Sequence, residues 1–277
     1  MHRKFISFLL LWTLCCTVSG GEPTKDEPID PDVLRKVRKL INGTLSEDSA
    51  DREKAWSEIK NMGNLVVPGL LGLYRQKETT PAMMRSVIIA LGDSKDQRAG
   101  PALAEVLTSK EPAVRRDAAR AMGDSGYQAG KPALEAMAAD EKEEGEVRLF
   151  AAVAGAKMRS DKALELLAVL MKIPKPEIRS RAVFALGKYG GIKQVPAIEK
   201  ALEDADQSVR EDAVEALRLL GKKPAWGALV KATGDEDYKV RNAAMSALKE
   251  LTNENKETPQ AWKEWWEEEK KKPESKN

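Results

Sequence analysis

The sequence predicts an all-α solenoid of about seven stacked helix pairs, closed by a capping helix. Three observations carry that prediction: a motif returning about every 31 residues, helical spacing of apolar residues within each copy, and proline opening most of the segments between copies. Five segments align directly: AVRRDAARAMG (113–123), EVRLFAAVAGA (146–156), EIRSRAVFALG (177–187), SVREDAVEALR (208–218) and KVRNAAMSALK (239–249). Each has a β-branched apolar residue followed by Arg, at Arg115, Arg148, Arg179, Arg210 and Arg241, spaced 33, 31, 31 and 31 residues apart. Alanine falls three residues after each, at Ala118, Ala151, Ala182, Ala213 and Ala244. Two weaker copies come first, 50–63 with Arg52 and 81–92 with Met84 in the arginine position.

Within a copy the period is helical. Val209, Ala213, Ala216, Leu217 and Leu220 share one face of a helix. A second helical segment precedes each strong copy, at 101–107, 132–138, 163–170, 195–202 and 224–232. Most open on proline, which suits a first helical turn because no N–H is needed there. Pro31 to Ile41 reads as the first helix of all. Short acidic links such as Glu203-Asp204-Ala205-Asp206 join the two helices of a pair.

The ends differ from the middle. Residues 1–20 read as a signal peptide: His2, Arg3 and Lys4, a twelve-residue apolar run from Phe5 to Cys16, then Val18 and Gly20 at the −3 and −1 positions of a cleavage site. The run is shorter than the roughly 20 residues that span a bilayer, and no other stretch is apolar enough to do so. Trp12-Thr13-Leu14 before Cys15 fits a lipoprotein signal poorly. A secreted or periplasmic protein is expected. Residues 21–30 form a charged, Pro-rich lead-in, 31–257 the solenoid, 258–272 a Trp-rich cap and 273–277 a tail. In the cap, Trp262, Trp265 and Trp266 are expected to cover the apolar end of the last repeat; the alternative is an aromatic patch for a partner.

Removing the leader takes away both cysteines and the only histidine. Disulfides, thiolate or imidazole zinc sites, and catalytic triads go with them. No cofactor or metal site and no catalytic residue is expected. The 46 basic residues of the chain fall to 44 without Arg3 and Lys4, against 44 acidic ones. That balance is no footprint for nucleic acid.

The pattern P-x-x-x-x-L, an acidic turn, then V-R-x-x-A-x-x-A-L-G resembles the HEAT repeat, in its PBS-lyase-like subclass, over residues 31–251. The resemblance implies a right-handed α-α superhelix in which the V-R helices line a concave side. It also implies that Arg115, Arg148, Arg179, Arg210 and Arg241 form a structural ladder with acidic turn residues. A ligand-binding arginine row is the alternative.

On the V-R helix, the positions one, two and five after the arginine are then expected to face the groove. They pass from basic, through an apolar centre, to acidic. Leu149, Phe150, Val153 and Phe184 are large apolar residues at these positions, flanked by Arg120 and Arg181 on one hand and Glu215 on the other. Either they form a partner-binding patch, or the fourth copy, with Gly145, Gly155 and a long charged link, is irregular and tucks them inside.

The function expected is a non-catalytic scaffold of the cell envelope that binds an unidentified protein or peptide and is monomeric outside that complex. The alternatives are a structural module of a larger envelope assembly and a lyase-type enzyme related to phycobilin lyases. HEAT-like hydroxylases that hold iron through His-Glu motifs are excluded by the missing histidines.

Overall fold

A computed structural model describes residues 29–272, and these are helical with no strand among them. The proposed leader, most of the lead-in and the tail lie outside the described residues.

Seven helix pairs follow in order, with a final single helix. They are α1 (Pro31–Gly43) with α2 (Ser49–Met62), α3 (Val67–Tyr74) with α4 (Pro81–Asp93), α5 (Gly100–Val106) with α6 (Pro112–Ser125), and α7 (Lys131–Ala139) with α8 (Gly145–Lys157). The remaining pairs are α9 (Asp161–Leu170) with α10 (Pro176–Tyr189), α11 (Val195–Ala201) with α12 (Gln207–Leu220), and α13 (Lys223–Ala232) with α14 (Tyr238–Thr252); α15 is Pro259–Glu269. The V-R motifs occupy the second helix of each pair. The first helix α3, VPGLLGLY, opens on Pro68 as most of the others open on proline, but has almost no polar residue to set a helical period.

The starts and stops follow local chemistry. The side chains of Asp48, Ser160, Asp206, Asp237 and Thr258 accept from backbone N–H groups in the first turns they cap. Gly126, Gly221 and Asn253 end their helices in the left-handed conformation.

The chain divides into two compact units at Met84–Arg85, inside α4. In the first, α1 packs on α2 and α3, burying Val37, Ile41, Val67, Leu70 and Leu73 completely. In the second, the second helices form a row in which α6, α8, α10, α12 and α14 each pack on the next. The motif glycine makes this close approach possible. A Cβ on Gly123 would stand 2.7 Å from the Ala154 Cβ, and one on Gly187 would stand 2.3 Å from the Ala216 Cα. The first helices form a second row, where α7 packs on α9, α11 on α13, and α13 on α15, while α5 and α7, and likewise α9 and α11, barely touch.

Candidate interaction face

Two side-chain systems run across the second helices: a ladder at the turns and a mixed aromatic and charged face along the helices. The ladder starts from the arginine of the V-R motif. In Arg179, Nη1 donates to the carbonyls of Ile173 and Pro174, at 3.1 and 2.8 Å, in the turn just before its own helix. Its Nε and Nη2 donate to both carboxylate oxygens of Asp204, at 2.8 and 2.7 Å, in the turn of the next pair. Arg210 repeats the arrangement, on the carbonyl of Asp204 at 2.9 Å and the carboxylate of Asp235 at 3.0 and 3.2 Å. Arg115 does so on the carbonyl of Ser109 at 2.6 Å and the carboxylate of Glu143 at 2.6 and 2.7 Å. Bidentate bonding of this kind fixes geometry as well as charge. The hydrogen bonds from Arg179 and Arg115 hold the Asp204 and Glu143 carboxyls below the usual carboxylate range, and the three guanidiniums are pushed up in return.

Two arginines of the row depart from this pattern. Arg241 reaches the carbonyls of Asp235 and Glu236 but has no carboxylate bond among the described residues; the position 25 residues on, where Asp204 and Asp235 stand for their arginines, is Trp266 of α15. Arg148 is 9% exposed and, among the described residues, donates only to the Ala138 carbonyl. The position at which Asp204 serves Arg179 is filled for Arg148 by Ile173, whose side chain cannot accept.

The second system centres on Phe150. Two guanidiniums lie over its ring, that of Arg116 at 5.8 Å and that of Arg181 at 4.7 Å from the centroid. Both arginines also approach the carboxylate of Glu146, at 3.5 and 3.7 Å. Phe150 therefore sits under charges contributed by the helices before and after its own. Arg116 is one of the positions expected to face the groove, one after the motif arginine; Glu146, two before it, does not stand out in the sequence.

The other positions expected to face the groove divide. Leu149 is a correction: it is buried, at 1% exposure. The equivalent position holds Arg116 in the copy before and Ser180 in the copy after, both half-buried, each with a polar end that meets a carboxylate. A leucine at that place has no polar tip to carry outward, and α8 is packed by α6, α7, α9 and α10. Phe150, Val153 and Phe184 are half-buried, and Lys188 stands 5.9 Å from the Phe184 ring. Arg120 and Arg181 are exposed, and Arg120 forms no ion pair among the described residues. Glu215 is held by Arg218 at 2.7 Å, which also reaches Glu250 of the next second helix at 2.8 Å. Among the described residues, neither Glu211, which accepts from the Gln207 amide at 2.6 Å, nor Asp212 has a cation on this face. Asp212 accepts from the Ser180 hydroxyl, and burial, with Glu211 and Glu215 close by, pushes its carboxyl up.

At the C-terminal end, α15 packs on α13, the first helix of the last pair. Trp262 is fully buried, and its ring meets that of Trp265 edge-on at 5.5 Å. Trp265 in turn lies 6.1 Å from Trp226 of α13 and 6.3 Å from Trp266. The indole N–H groups of Trp226 and Trp262 are buried without an acceptor. Lys223 ties the two helices at the rim, donating to the Lys272 carbonyl at 2.7 Å. No helix among the described residues is long and apolar enough to cross a membrane.

Comparison with known proteins agrees with this architecture. A family model for HEAT repeats matches residues 67–145, 141–218 and 195–270. No curated protein matches the chain. Among solved structures, the complex of CpcE and CpcF of phycocyanin lyase from Nostoc is similar at 18% identity and a TM-score of 0.44, covering 91% of this chain and 99% of that one. Human deoxyhypusine hydroxylase is similar at 17% identity and a TM-score of 0.38, covering 80% and 98%. A designed armadillo repeat protein in complex with the peptide (KR)4 is similar at 17% identity and a TM-score of 0.45, covering 78% and 100%. With the helix pairs, the ladder and the matched repeats together, the chain belongs to the HEAT-repeat family.

Proposed function

We propose that this chain is a non-catalytic scaffold of the cell envelope that binds a protein or peptide through its second-helix face, centred on Phe150. The observation that carries this reading is the group of Arg116, Phe150, Arg181 and Glu146. Three successive second helices contribute to it, and it combines an aromatic ring with two cations, the Glu146 carboxylate between them and, beside Arg116, that of Asp117 at 3.5 Å. Burying an arginine–aromatic pair beneath a partner strengthens it, because the attraction is larger out of water. Arg120 adds a free cation on one side, and Asp212 an unneutralised carboxylate on the other. A partner segment with an acidic stretch opposite Arg116, Arg120 and Arg181 and a basic one opposite Asp212 would complement the face. Export rests on the build of residues 1–20, and the absence of a catalytic role on a mature sequence without histidine or cysteine.

The test is a pull-down from a periplasmic extract with the wild-type protein and a Phe150→Ala, Arg181→Ala double variant. A partner held by the wild type and lost by a folded variant supports the proposal. Recovery of the same partner by both sinks it. Terminal sequencing of protein from the native host addresses export: a chain beginning near Gly21 is expected, and one beginning at Met1 would refute it.

A further inference from the structure

A cleft of about 470 Å³ opens on the first-helix side, between α9 and α11. Val169, 48% exposed, lines it with Ala197 and Pro196, and the buried Val183 and Val209 of the second helices close its floor. Lys172, Lys193 and Lys200 also line it, all three exposed and none ion-paired among the described residues. Its carboxylate, Asp204, is already held by Arg179.

The same place one repeat later shows what is missing. Arg179 and Arg210 fix the register, 31 residues apart, and in that register Ala168 corresponds to Glu199, Lys172 to Glu203 and Lys200 to Lys231. At the later junction Lys231 pairs across α11 and α13 with Glu199, and the cleft there is only about 190 Å³. At the earlier junction the lysine is retained, but one glutamate has become alanine and the other a lysine. The carboxylate is gone, a cation has been added, and α9 and α11 have lost the contact that α11 and α13 keep.

We infer that this cleft receives an acidic and apolar segment of a partner protein, distinct from whatever occupies the second-helix face. A glutamate or aspartate of that segment sits among Lys172, Lys193 and Lys200, in the place that Glu199 fills one repeat later. A neighbouring apolar side chain covers Val169 and Ala197. Charge selects the occupant. Three unneutralised cations attract an acidic segment and repel a basic one, and covering the apolar wall adds a contribution that salt does not screen.

The test uses two labelled peptides on the full chain, acetyl-LEELLEEL-amide and its lysine counterpart acetyl-LKKLLKKL-amide, followed by fluorescence anisotropy. The acidic peptide should bind at least about tenfold more tightly than the basic one, and less tightly as salt rises. Ala168→Glu supplies the carboxylate from within and should weaken the acidic peptide at least about tenfold. Lys172→Glu, on an exposed side chain, should do the same and carries the test if Ala168→Glu disturbs folding. Phe150→Ala with Arg120→Ala should leave this binding unchanged, which separates the cleft from the second-helix face. Equal binding of the two peptides, undiminished binding to folded Lys172→Glu, or loss of binding in the Phe150 and Arg120 variant would overturn the inference.

Discussion

Arg179 donates two hydrogen bonds to the carboxylate of Asp204, and the carbonyl of that same aspartate accepts from Arg210. One residue thus joins two rungs, as Asp235 does for Arg210 and Arg241, so the ladder couples successive turns from Arg179 onward. Arg179→Ala leaves two turn carbonyls and a part-buried carboxylate without their donor, and is expected to cost about 1 to 3 kcal/mol. Arg148 is the contrast. It is buried and lacks a carboxylate, so its desolvation is poorly offset. Arg148→Met should be close to neutral or stabilising. Denaturant unfolding of both variants checks the pair.

Acid should loosen the ladder. Asp204 and Glu143 have folded pKa values held down by Arg179 and Arg115. Their contribution is fully present above the unfolded carboxylate value of about 4 and is lost as pH falls through the lower folded values. Arg179→Ala should flatten that loss. Asp212 runs the other way. Its folded value is raised, so ionisation costs stability once pH rises above the unfolded value. Asp212→Asn should therefore melt higher than the wild type at neutral pH, and that advantage should vanish in acid. Melting midpoints across pH decide both signs.

Gly187→Ala tests the close approach of α10 and α12. Alanine gains about 1 kcal/mol of helix propensity over glycine. Here its Cβ would stand 2.3 Å from the Ala216 Cα and 2.6 Å from the Ala216 Cβ, so backbone must move. Net destabilisation of about 1 to 3 kcal/mol is expected from overpacking. A gain in stability would show that the helices separate without cost.

Deleting residues 258–277 removes Trp262, Trp265 and Trp266 and strips the aromatic cover from Trp226. Because α15 packs on α13, the newly exposed apolar surface is expected on that first helix rather than at Leu248, which lies in α14. The truncated chain should aggregate or unfold less cooperatively, with a red-shifted Trp226 emission. A monomer with an unchanged melting midpoint would mean that the cap is dispensable.

The helix pairs were legible because stacking makes the same demands in every copy: a β-branched residue and alanines on the packed stripe, and glycine where two backbones meet. The ladder was implied by the resemblance to HEAT repeats, and it holds in full at Arg115, Arg179 and Arg210. Its break at Arg148 follows from Ile173 standing where Asp204 and Asp235 stand for their arginines. The surroundings of Phe150 were not legible, since helical spacing places a residue on a face but does not say which neighbouring helix sends a side chain over it. Leu149 was misplaced because the shared register hid the loss of a polar end, which Arg116 and Ser180 keep in the copies on either side. An arginine there spans the buried edge to reach water, and a leucine stays within it. The cleft between α9 and α11 needed the three-dimensional gap before the exchange of Glu199 for Ala168 acquired meaning.

The most direct test of the scaffold reading places a photoreactive phenylalanine analogue at Arg120, on the second-helix face, and separately at Ala133, exposed on the first helix α7. Each protein is irradiated in periplasmic extract, with and without Phe150→Ala. The account predicts a discrete crosslinked product from position 120 that disappears with Phe150→Ala, and none of that product from position 133. The same product from both positions, or one from position 120 that persists without the Phe150 ring, would contradict it.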